Sequence, residues 1–267
     1  MKVEYSENGR KPVKKKRKKH SKLSRIITAV TVIAVVLGVT VALMLTVFFK
    51  VTAVKVVGSS IYSVDEVIYA SGIMTGDNLL RLPSEKIERR IAEALPYVKK
   101  ATVIKSYPDT VGIELTPAEE SVMLVTKEGS FIADSDFKIL RTADEHTDGL
   151  IKVVGIDASD VAPGKTLAFN EKQQRDVLKD LCAICSENGF SVDYINIESL
   201  VDINFVIDGR LFIRLGSYNN MSGKLTHLKT MTEVMDSSLS ASISLVDWSV
   251  ENKKAVLKYE DISELLK

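Results

Sequence analysis

The chain contains little cysteine, histidine or proline for its length. Its 267 residues include two Cys, three His, one Trp and six Pro. Two cysteines are too few for a scaffold held together by several disulfides. The histidines His20, His146 and His227 lie far apart, so no two of them have the spacing of a zinc-binding motif. The chain must therefore fold around an ordinary apolar core, which its length allows.

Motifs of the common enzyme classes are also missing. The sequence has no G-x-S-x-G, no H-E-x-x-H and no glycine-rich phosphate-binding loop. The acidic pairs Asp134 with Asp136 and Asp144 with Glu145 fall in predicted turns, where we expect solvated loop charge. His146 is expected to be exposed in the second of these loops. We therefore predict a protein that is not an enzyme and takes no metal, cofactor or small-molecule substrate.

The two cysteines, Cys182 and Cys185, have a C-x-x-C spacing that invites a redox or metal-binding interpretation. They share the apolar face of one predicted helix with Val177, Leu178 and Leu181. A zinc site would need two further ligands, which nothing nearby supplies. We therefore expect both cysteines to be small core residues.

One long apolar run divides the sequence. Residues 26–49 contain no charge and no proline, and a helix of this length rises roughly 36 Å, enough to cross a hydrocarbon core of about 30 Å. A buried helix of a soluble protein is one alternative. A cleaved signal peptide is another, but its apolar part is about 7 to 15 residues long and ends at a small-x-small site. We predict an uncleaved membrane anchor over residues 26–49.

The charges are divided unequally around this run. Residues 1–25 hold eleven Lys or Arg and two Glu, a formal charge of +9, whereas the remaining residues hold 25 basic and 33 acidic ones, a formal charge of −8. This bias predicts a cytoplasmic tail at residues 1–25 and extracytoplasmic domains after the span. The six cations at 14–19 have no aromatic residue among them to stack on bases, so we expect contact with anionic lipid and no nucleic-acid binding.

A small domain is predicted directly after the span, at residues 50–118. Ser63 and Glu66 have the spacing of a capping box that starts one helix, and a second helix is expected from Ser84 to the region of Pro96. Strands are predicted at 54–57, 98–105 and 110–115. The order of elements is β-α-α-β-β.

A larger mixed β domain with two helices is predicted at residues 119–260, so the fold class is α+β. Short strands at 121–125, 129–133 and 137–140 predict an antiparallel meander. The dipeptide Asp208-Gly209 predicts a two-residue hairpin turn, because such turns need positive φ at both positions. Helices are expected up to Gly189 and over 221–235, and the last two strands at 242–248 and 254–259. Residues 261–267 are left as a tail.

The first domain resembles the membrane-proximal POTRA domain of the FtsQ/DivIB family of bacterial cell-division proteins. The resemblance is carried by V-x-x-V-x-V-x-G-x-x-x-x-S-x-x-E-V from Val51, G-I-x-x-G-D-N-L-x-x-L from Gly72 and L-P-Y-V-K-K-A-x-V-x-K-x-Y-P-D-T-V from Leu95. The second domain is similar to the β domain of that family at I-R-L-G (213–216) and K-L-x-x-L (224–228). The match departs from the family pattern at 116–120, at the predicted domain boundary.

A chain that ends in a hairpin can leave its last strand at a sheet edge, where a partner strand can pair with it. The resemblance implies that this edge binds a partner of the FtsB/DivIC type and that an FtsL-like protein joins the complex. The predicted partner-binding residues are Trp248, Lys254, Ala255, Val256, Leu257, Lys258 and Tyr259. For Trp248 two roles stay open, an interface anchor and an aromatic residue that caps the core.

These expectations combine into a function. We expect a non-enzymatic, single-pass scaffold at the division septum that docks its partners outside the membrane to control septal peptidoglycan synthesis. A membrane-anchored cell-wall enzyme and a POTRA-type export or assembly factor are the alternatives. The second would usually carry tandem POTRA units or a transmembrane barrel.

Overall fold

A computed structural model describes residues 22–58, 61–144, 147, 149–236, 238–248, 251–252 and 254–265. The basic run at 14–19 and the residues His20, Glu145 and His146 lie outside the described residues. What the sequence predicts for them stays a prediction.

The described chain begins with a long helix that packs against nothing. Helix α1 is Lys22–Leu43, and it continues as a π-helix at Met44–Phe48. The segment Ser24–Leu43 is long and apolar enough to cross a membrane, and none of its most apolar window is buried inside the protein. A soluble core helix would bury one face, so that alternative is wrong.

The first domain has the predicted β-α-α-β-β order. Its elements are β1 (Ala53–Val57), α2 (Val64–Ser71), α3 (Ser84–Ala94), β2 (Val98–Ser106) and β3 (Thr110–Pro117). The strand order is β1-β3-β2, with β1 parallel to β3 and β2 antiparallel to it. The predicted capping box is confirmed, because the Ser63 hydroxyl accepts a bond from the Glu66 amide while the Glu66 carboxylate accepts one from the Ser63 amide. The Ser63 hydroxyl also donates to the Glu66 carboxylate at 2.7 Å, and this bond, followed by the one from the Ser63 amide, lowers the pKa of Glu66.

The second domain is a mixed sheet with two helices on one face. Its elements are β4 (Val122–Thr126), β5 (Gly129–Ala133), β6 (Ile139–Thr142), β7 (Ile151–Val154), β8 (Ala158–Ser159), β9 (Ala168–Phe169), α4 (Lys172–Glu187), β10 (Val192–Asn196), β11 (Ile203–Ile207), β12 (Leu211–Gly216), α5 (Met221–Thr232), β13 (Ala241–Ser244) and β14 (Val256–Tyr259). The described strands of the main sheet have the order β14-β13-β12-β11-β10-β7-β4-β5-β6. The predicted meander is confirmed for β4, β5 and β6, whereas the pairs β4/β7, β7/β10 and β12/β13 are parallel.

Local predictions in this domain hold where they depend on turn chemistry or helical spacing. Asp208 and Gly209 have φ of 54° and 63°, so the predicted positive φ at both positions is confirmed. The register pairs Ile207 with Leu211, however, so three residues, 208–210, connect β11 and β12 where two were predicted. On α4, Cys185 is buried and Cys182 is partly buried against the core that Leu178 and Leu181 also join. Burial raises the pKa of Cys182 to about 11 and that of Cys185 to about 12. Both thiols are therefore protonated core groups at neutral pH, as expected for packing residues.

The turn before β6 differs from the prediction. The strand expected at 137–140 begins at Ile139, because Phe137 adopts a φ of 64°. The Asp134 carboxylate organises this turn by accepting bonds from the amides of Asp136 and Lys138, each at 2.9 Å. Asp134 is buried, so the expectation of solvated loop charge is wrong at this position.

Lys138 fastens the second domain to the first. Its side chain is 7% exposed, and its Nζ donates to the carbonyl oxygens of Ala92 (2.6 Å), Leu95 (3.4 Å) and Val98 (2.6 Å). The amide that would serve the Ala92 carbonyl in a continuing helix belongs to Pro96, which has no N–H. Burial lowers the pKa of Lys138 to about 8. The charge of Asp134 acts the other way, since it favours the ammonium form.

Two charged groups extend this contact between the domains. Asp136 accepts bonds from Lys99 of β2 (2.9 Å) and from Lys179 of α4 (2.7 Å). Glu120 binds Arg141 of β6 and the Tyr97 hydroxyl at 2.7 and 2.6 Å. Burial, followed by the bond to Glu120, raises the pKa of Tyr97 to about 12. Ion pairs and hydrogen bonds of Asp136 and Glu120 thus join the two domains.

Acid is expected to weaken the Asp136 contact. Its bonds from Lys179 and Lys99 lower the pKa of Asp136 to about 2, from 3.8. A carboxylate with a lowered folded-state pKa stabilises the fold above its unfolded pKa, and that stabilisation is lost as the pH falls through the folded pKa. Because Asp136 is nearly half exposed, we expect at most about 1 kcal/mol, lost between about pH 4 and pH 2.

The check on Asp136 is urea unfolding of the wild type and of Asp136→Asn at several pH values. The difference in unfolding free energy between them should shrink from pH 7 to pH 2. An unchanged difference over this range would contradict the assignment.

Candidate partner-binding edge

Strand β14 is the last strand of the main sheet on one side. It pairs with β13 alone among the described strands, in an antiparallel register that sets Tyr259 opposite Ala241 and Val256 opposite Ser244. The predicted strand at 254–259 begins at Val256, so Lys254 and Ala255 precede it. Six of the seven predicted site residues therefore lie at or next to this edge. The strand itself contains Val256, Leu257, Lys258 and Tyr259, and Lys254 and Ala255 directly precede it.

The register also fixes which backbone groups face outward. Glu260 donates its amide to the carbonyl of Ser240, directly opposite, at 3.3 Å. In an antiparallel ladder, bonded and non-bonded pairs alternate, so Lys258 and Val256 bond to β13. Leu257 and Tyr259 consequently direct their N–H and C=O groups away from β13, to the free side. These are the backbone groups that an added strand would use.

The side chains of β14 have different surroundings. Leu257 packs against the core beneath α4 and α5, whereas Val256 and Tyr259 are about half exposed, Tyr259 at 55%. Lys258 donates to the Glu260 carboxylate, which also accepts from the Ser242 hydroxyl. These bonds, with that from Lys258 the larger, lower the pKa of Glu260. The edge thus presents an aliphatic and an aromatic side chain beside a neutralised carboxylate.

At the opposite end of the sheet, the start of the edge strand β6 is covered. The segment after β6 returns along it, where the Ile139 amide donates to the Lys165 carbonyl at 2.9 Å and the Gly164 amide donates to the Ile139 carbonyl at 2.8 Å. Lys138 forms a further bridge with Thr166. This arrangement covers an edge that would otherwise accept a strand. Within the described chain, β14 is the more open of the two ends.

The described part of the C-terminal segment, up to Leu265, does not cover β14. A short 3-10 helix at Ile262–Glu264 places Ile262 against Val206 and Phe212, on the face of the sheet opposite α4 and α5. Leu265 packs beside them. The described tail therefore occupies a face of the sheet, and the free side of β14 stays accessible in this part of the chain.

Trp248 lies apart from this edge. The strand expected at 242–248 ends at Ser244, and Trp248 follows in a loop. Its side chain is 8% exposed and packs on α5, with the indole 6.1 Å from the His227 ring and directly over Gly223. An alanine at position 223 would place its Cβ 2.9 Å from the indole. The core-capping role is the one that these contacts describe, and the anchor role stays a prediction.

The described residues offer little material for catalysis. No group of three or more His, Cys, Asp or Glu among them could hold a metal ion. Asp134 and Asp136 are engaged by backbone amides and by lysines, and Asp144 pairs with Arg141 at 2.9 Å. Asp134, Asp136 and Asp144, the described acidic groups among those considered from sequence, thus have structural partners.

Comparison with known proteins shows which proteins the chain is similar to. A family profile described as "POTRA domain, FtsQ-type" matches residues 49–116. Cell division protein FtsQ of Corynebacterium glutamicum is 31% identical over 129 residues, which are 48% of this chain and 57% of that protein. Cell division protein FtsQ of Streptomyces venezuelae is 34% identical over 91 residues, 34% of this chain and 33% of that protein. The one from Streptomyces griseus is 27% identical over 104 residues, 39% and 50%.

The aligned part of the chain spans between 33% and 57% of the length of these curated relatives. The profile falls on the first domain, directly after the apolar helix, where the sequence resemblance is also strongest. The chain thus combines an FtsQ-type POTRA domain with a larger β-sheet domain and an N-terminal apolar helix, and it is similar to FtsQ cell division proteins, as its resemblance to the FtsQ/DivIB family predicts.

Proposed function

We propose that the chain is a single-pass membrane scaffold of the bacterial division machinery that acts by assembling other proteins. The single observation that carries the proposal is the open, half-exposed edge of β14 on a domain whose opposite edge strand is covered at its start. The names of its relatives support a role in cell division. The domain limits that we assign are 50–118 for the POTRA domain and 119–260 for the β domain, followed by the tail at 261–267.

The membrane part of the proposal combines the apolar helix with the charge of its flanks. Ser24–Leu43 would span the bilayer as an uncleaved anchor. The excess of Lys and Arg over residues 1–25 would keep the N-terminus in the cytoplasm and place both domains outside. The family relationship favours the division septum as the location.

The partners we propose follow from the chemistry of the edge and from the resemblance. A partner of the FtsB/DivIC type would add a strand beside β14, bonding to the outward groups of Leu257 and Tyr259, and an FtsL-like protein would join it. Main-chain bonds supply affinity in such pairing, while the side chains on the exposed face supply selection. The scaffold would thereby control where septal peptidoglycan synthesis starts, without chemistry of its own.

Tyr259→Pro is the sharpest test of strand addition. Proline removes the outward N–H and places its ring on the free side, while a proline at such an edge position leaves the bonds to β13 intact. We expect this variant of the full chain to lose capture of small coiled-coil division proteins from detergent-solubilised membranes of the source cell. Bound proteins are identified by mass spectrometry.

Tyr259→Ala is the matched control, since it removes the same side chain and keeps the amide. It should retain most of the capture, and both variants should unfold at the wild-type temperature. Equal capture by a folded Tyr259→Pro would refute pairing at β14. Recovery of no partner by the wild type, together with cleavage of wall polymers by the same protein, would favour the anchored-enzyme alternative.

A further inference from the structure

The chain enters the first domain directly from the helical segment, with no free linker. The Phe49 carbonyl accepts the Leu79 amide at 2.7 Å, the Val51 amide donates to the Asp77 carbonyl at 2.8 Å, and the Val51 carbonyl accepts the Gly76 amide at 2.8 Å. Val51 is buried in the core of the first domain. The end of the helical segment and the start of the domain are therefore held together within three residues.

The turn between β2 and β3 lies at this same junction. Thr52 donates its amide to the Asp109 carbonyl at 2.9 Å and its hydroxyl to the Asp109 carboxylate at 2.8 Å. The Phe49 and Tyr107 rings meet edge to face, with centroids 5.7 Å apart. Two connecting segments, at 74–81 and 107–109, thus form the end of the domain nearest the apolar helix.

The exposed side chains at this end include apolar and cationic ones. Tyr107 is 59% exposed, and Met74 and Leu80 are also exposed beside it. Lys50 and Arg81 are exposed at the same end. The two acidic groups there are turned to the protein, since the carboxylate of Asp77 accepts the Met74 amide and that of Asp109 accepts the Thr52 hydroxyl. We call Lys50, Met74, Leu80, Arg81 and Tyr107 the junction face.

The length of the helical segment sets the depth of the junction face. The 22 residues of α1 and the 5 of the π-helix extend roughly 40 Å, compared with a hydrocarbon core of about 30 Å and about 40 to 45 Å with the headgroups. Phe49 and its neighbour Tyr107 then lie within the headgroup layer. Aromatic rings are enriched at this depth, and cations at its surface contact lipid phosphates.

We propose that the junction face rests in the interfacial layer of the bilayer, so that lipid is a second binding partner of the POTRA domain. Tyr107, Leu80 and Met74 enter the boundary between headgroups and acyl chains, and Lys50 and Arg81 bind lipid phosphates. This inference rests on the membrane span of the proposed function. It assigns the first domain a peripheral contact in addition to its covalent anchor.

Tryptophan fluorescence in vesicles tests the contact, because the chain has one native tryptophan, the buried Trp248. The full chain and its Tyr107→Trp variant are reconstituted in phosphatidylcholine and phosphatidylglycerol vesicles whose acyl chains carry bromine, which quenches indole on contact. Emission of the wild type gives the background from Trp248. We expect the emission added by Tyr107→Trp to be quenched at least about twofold more strongly than that of an indole far from the membrane.

Two further variants make every outcome informative. Ile61→Trp introduces an exposed indole beyond the far end of β1, whose five residues extend roughly 17 Å away from the junction. Val36→Trp introduces one inside the proposed span. Quenching of Val36→Trp and Tyr107→Trp but not of Ile61→Trp supports the proposal. If Tyr107→Trp is quenched no more than Ile61→Trp while Val36→Trp is quenched, the contact is wrong and the span stands. If Val36→Trp is not quenched, both the span and the contact are wrong.

Discussion

Replacing Lys138 by methionine is expected to destabilise the folded domains by about 3 kcal/mol, because three buried carbonyls lose their ammonium donor. Methionine fills a similar volume but donates nothing, and the Ala92 carbonyl cannot find its usual amide at Pro96. Urea unfolding of the detergent-solubilised full chain, followed by far-ultraviolet circular dichroism and by Trp248 fluorescence, measures the change. We expect the two signals to coincide in the wild type and to separate in the variant as the domains uncouple.

Lys165→Met is the matched control for Lys138→Met. Lys165 lies in the same part of the second domain, but its ammonium pairs with Asp160 at a half-exposed position. Such a surface pair contributes about 1 kcal/mol at most. Equal destabilisation by the two substitutions would show that the carbonyl cluster does not depend on Lys138.

Gly164→Ala is expected to be about as harmful, at roughly 3 kcal/mol or more, for reasons of space and of backbone conformation. Gly164 has a φ of 86°, and a Cβ on it would lie 2.0 Å from the carbonyl oxygen of Glu93 in the last turn of α3. Neither backbone can yield without opening the contact between the domains. The same urea unfolding experiment measures the loss.

The Gly189→Ala variant distinguishes the two causes of the destabilisation expected for Gly164→Ala, the lack of space and the positive φ. Gly189 follows α4 with a nearly identical φ of 81°, but its added Cβ would meet no described atom within 4 Å. The strain of an alanine at positive φ should cost about 1 kcal/mol alone. If Gly164→Ala destabilised the protein no more than Gly189→Ala, the close approach of Gly164 to α3 would be refuted.

The features that sequence predicts well depend on neighbours in the chain. The Ser63/Glu66 capping box is complete within four residues and is confirmed, and so is the positive φ at Asp208 and Gly209. Helix α4 follows from its apolar spacing, which places Cys185 in the core. Local physics is sufficient for these elements because each has its partners nearby.

The contact between the domains could not be predicted in this way. Lys138 binds carbonyls 40 to 46 residues earlier in the chain, and a lysine inside a short predicted strand gives no sign of burial. Phe137 adopts a positive φ that bulky residues rarely take. Asp134 is buried only because the turn around Phe137 directs two amides to it.

The candidate edge was partly predictable. A terminal hairpin indicates that the last strand lies at a sheet edge, and β14 does so among the described strands. Which amides face outward depends on the register with β13, which two short strands do not determine from their residue pattern. The burial of Trp248 likewise depends on α5, 16 residues or more earlier in the chain.

The bonded start of the first domain at Phe49 and the domain contact at Lys138 follow one another along the path from the apolar helix to β14. Neither connection contains a flexible linker. In the proposed membrane setting, the open side of β14 therefore stays at a constant height above the bilayer. A membrane-anchored partner can pair with it only if its own stalk reaches that height. The molecule would therefore select partners by stalk length as well as by strand chemistry, in the way that a ruler sets a distance.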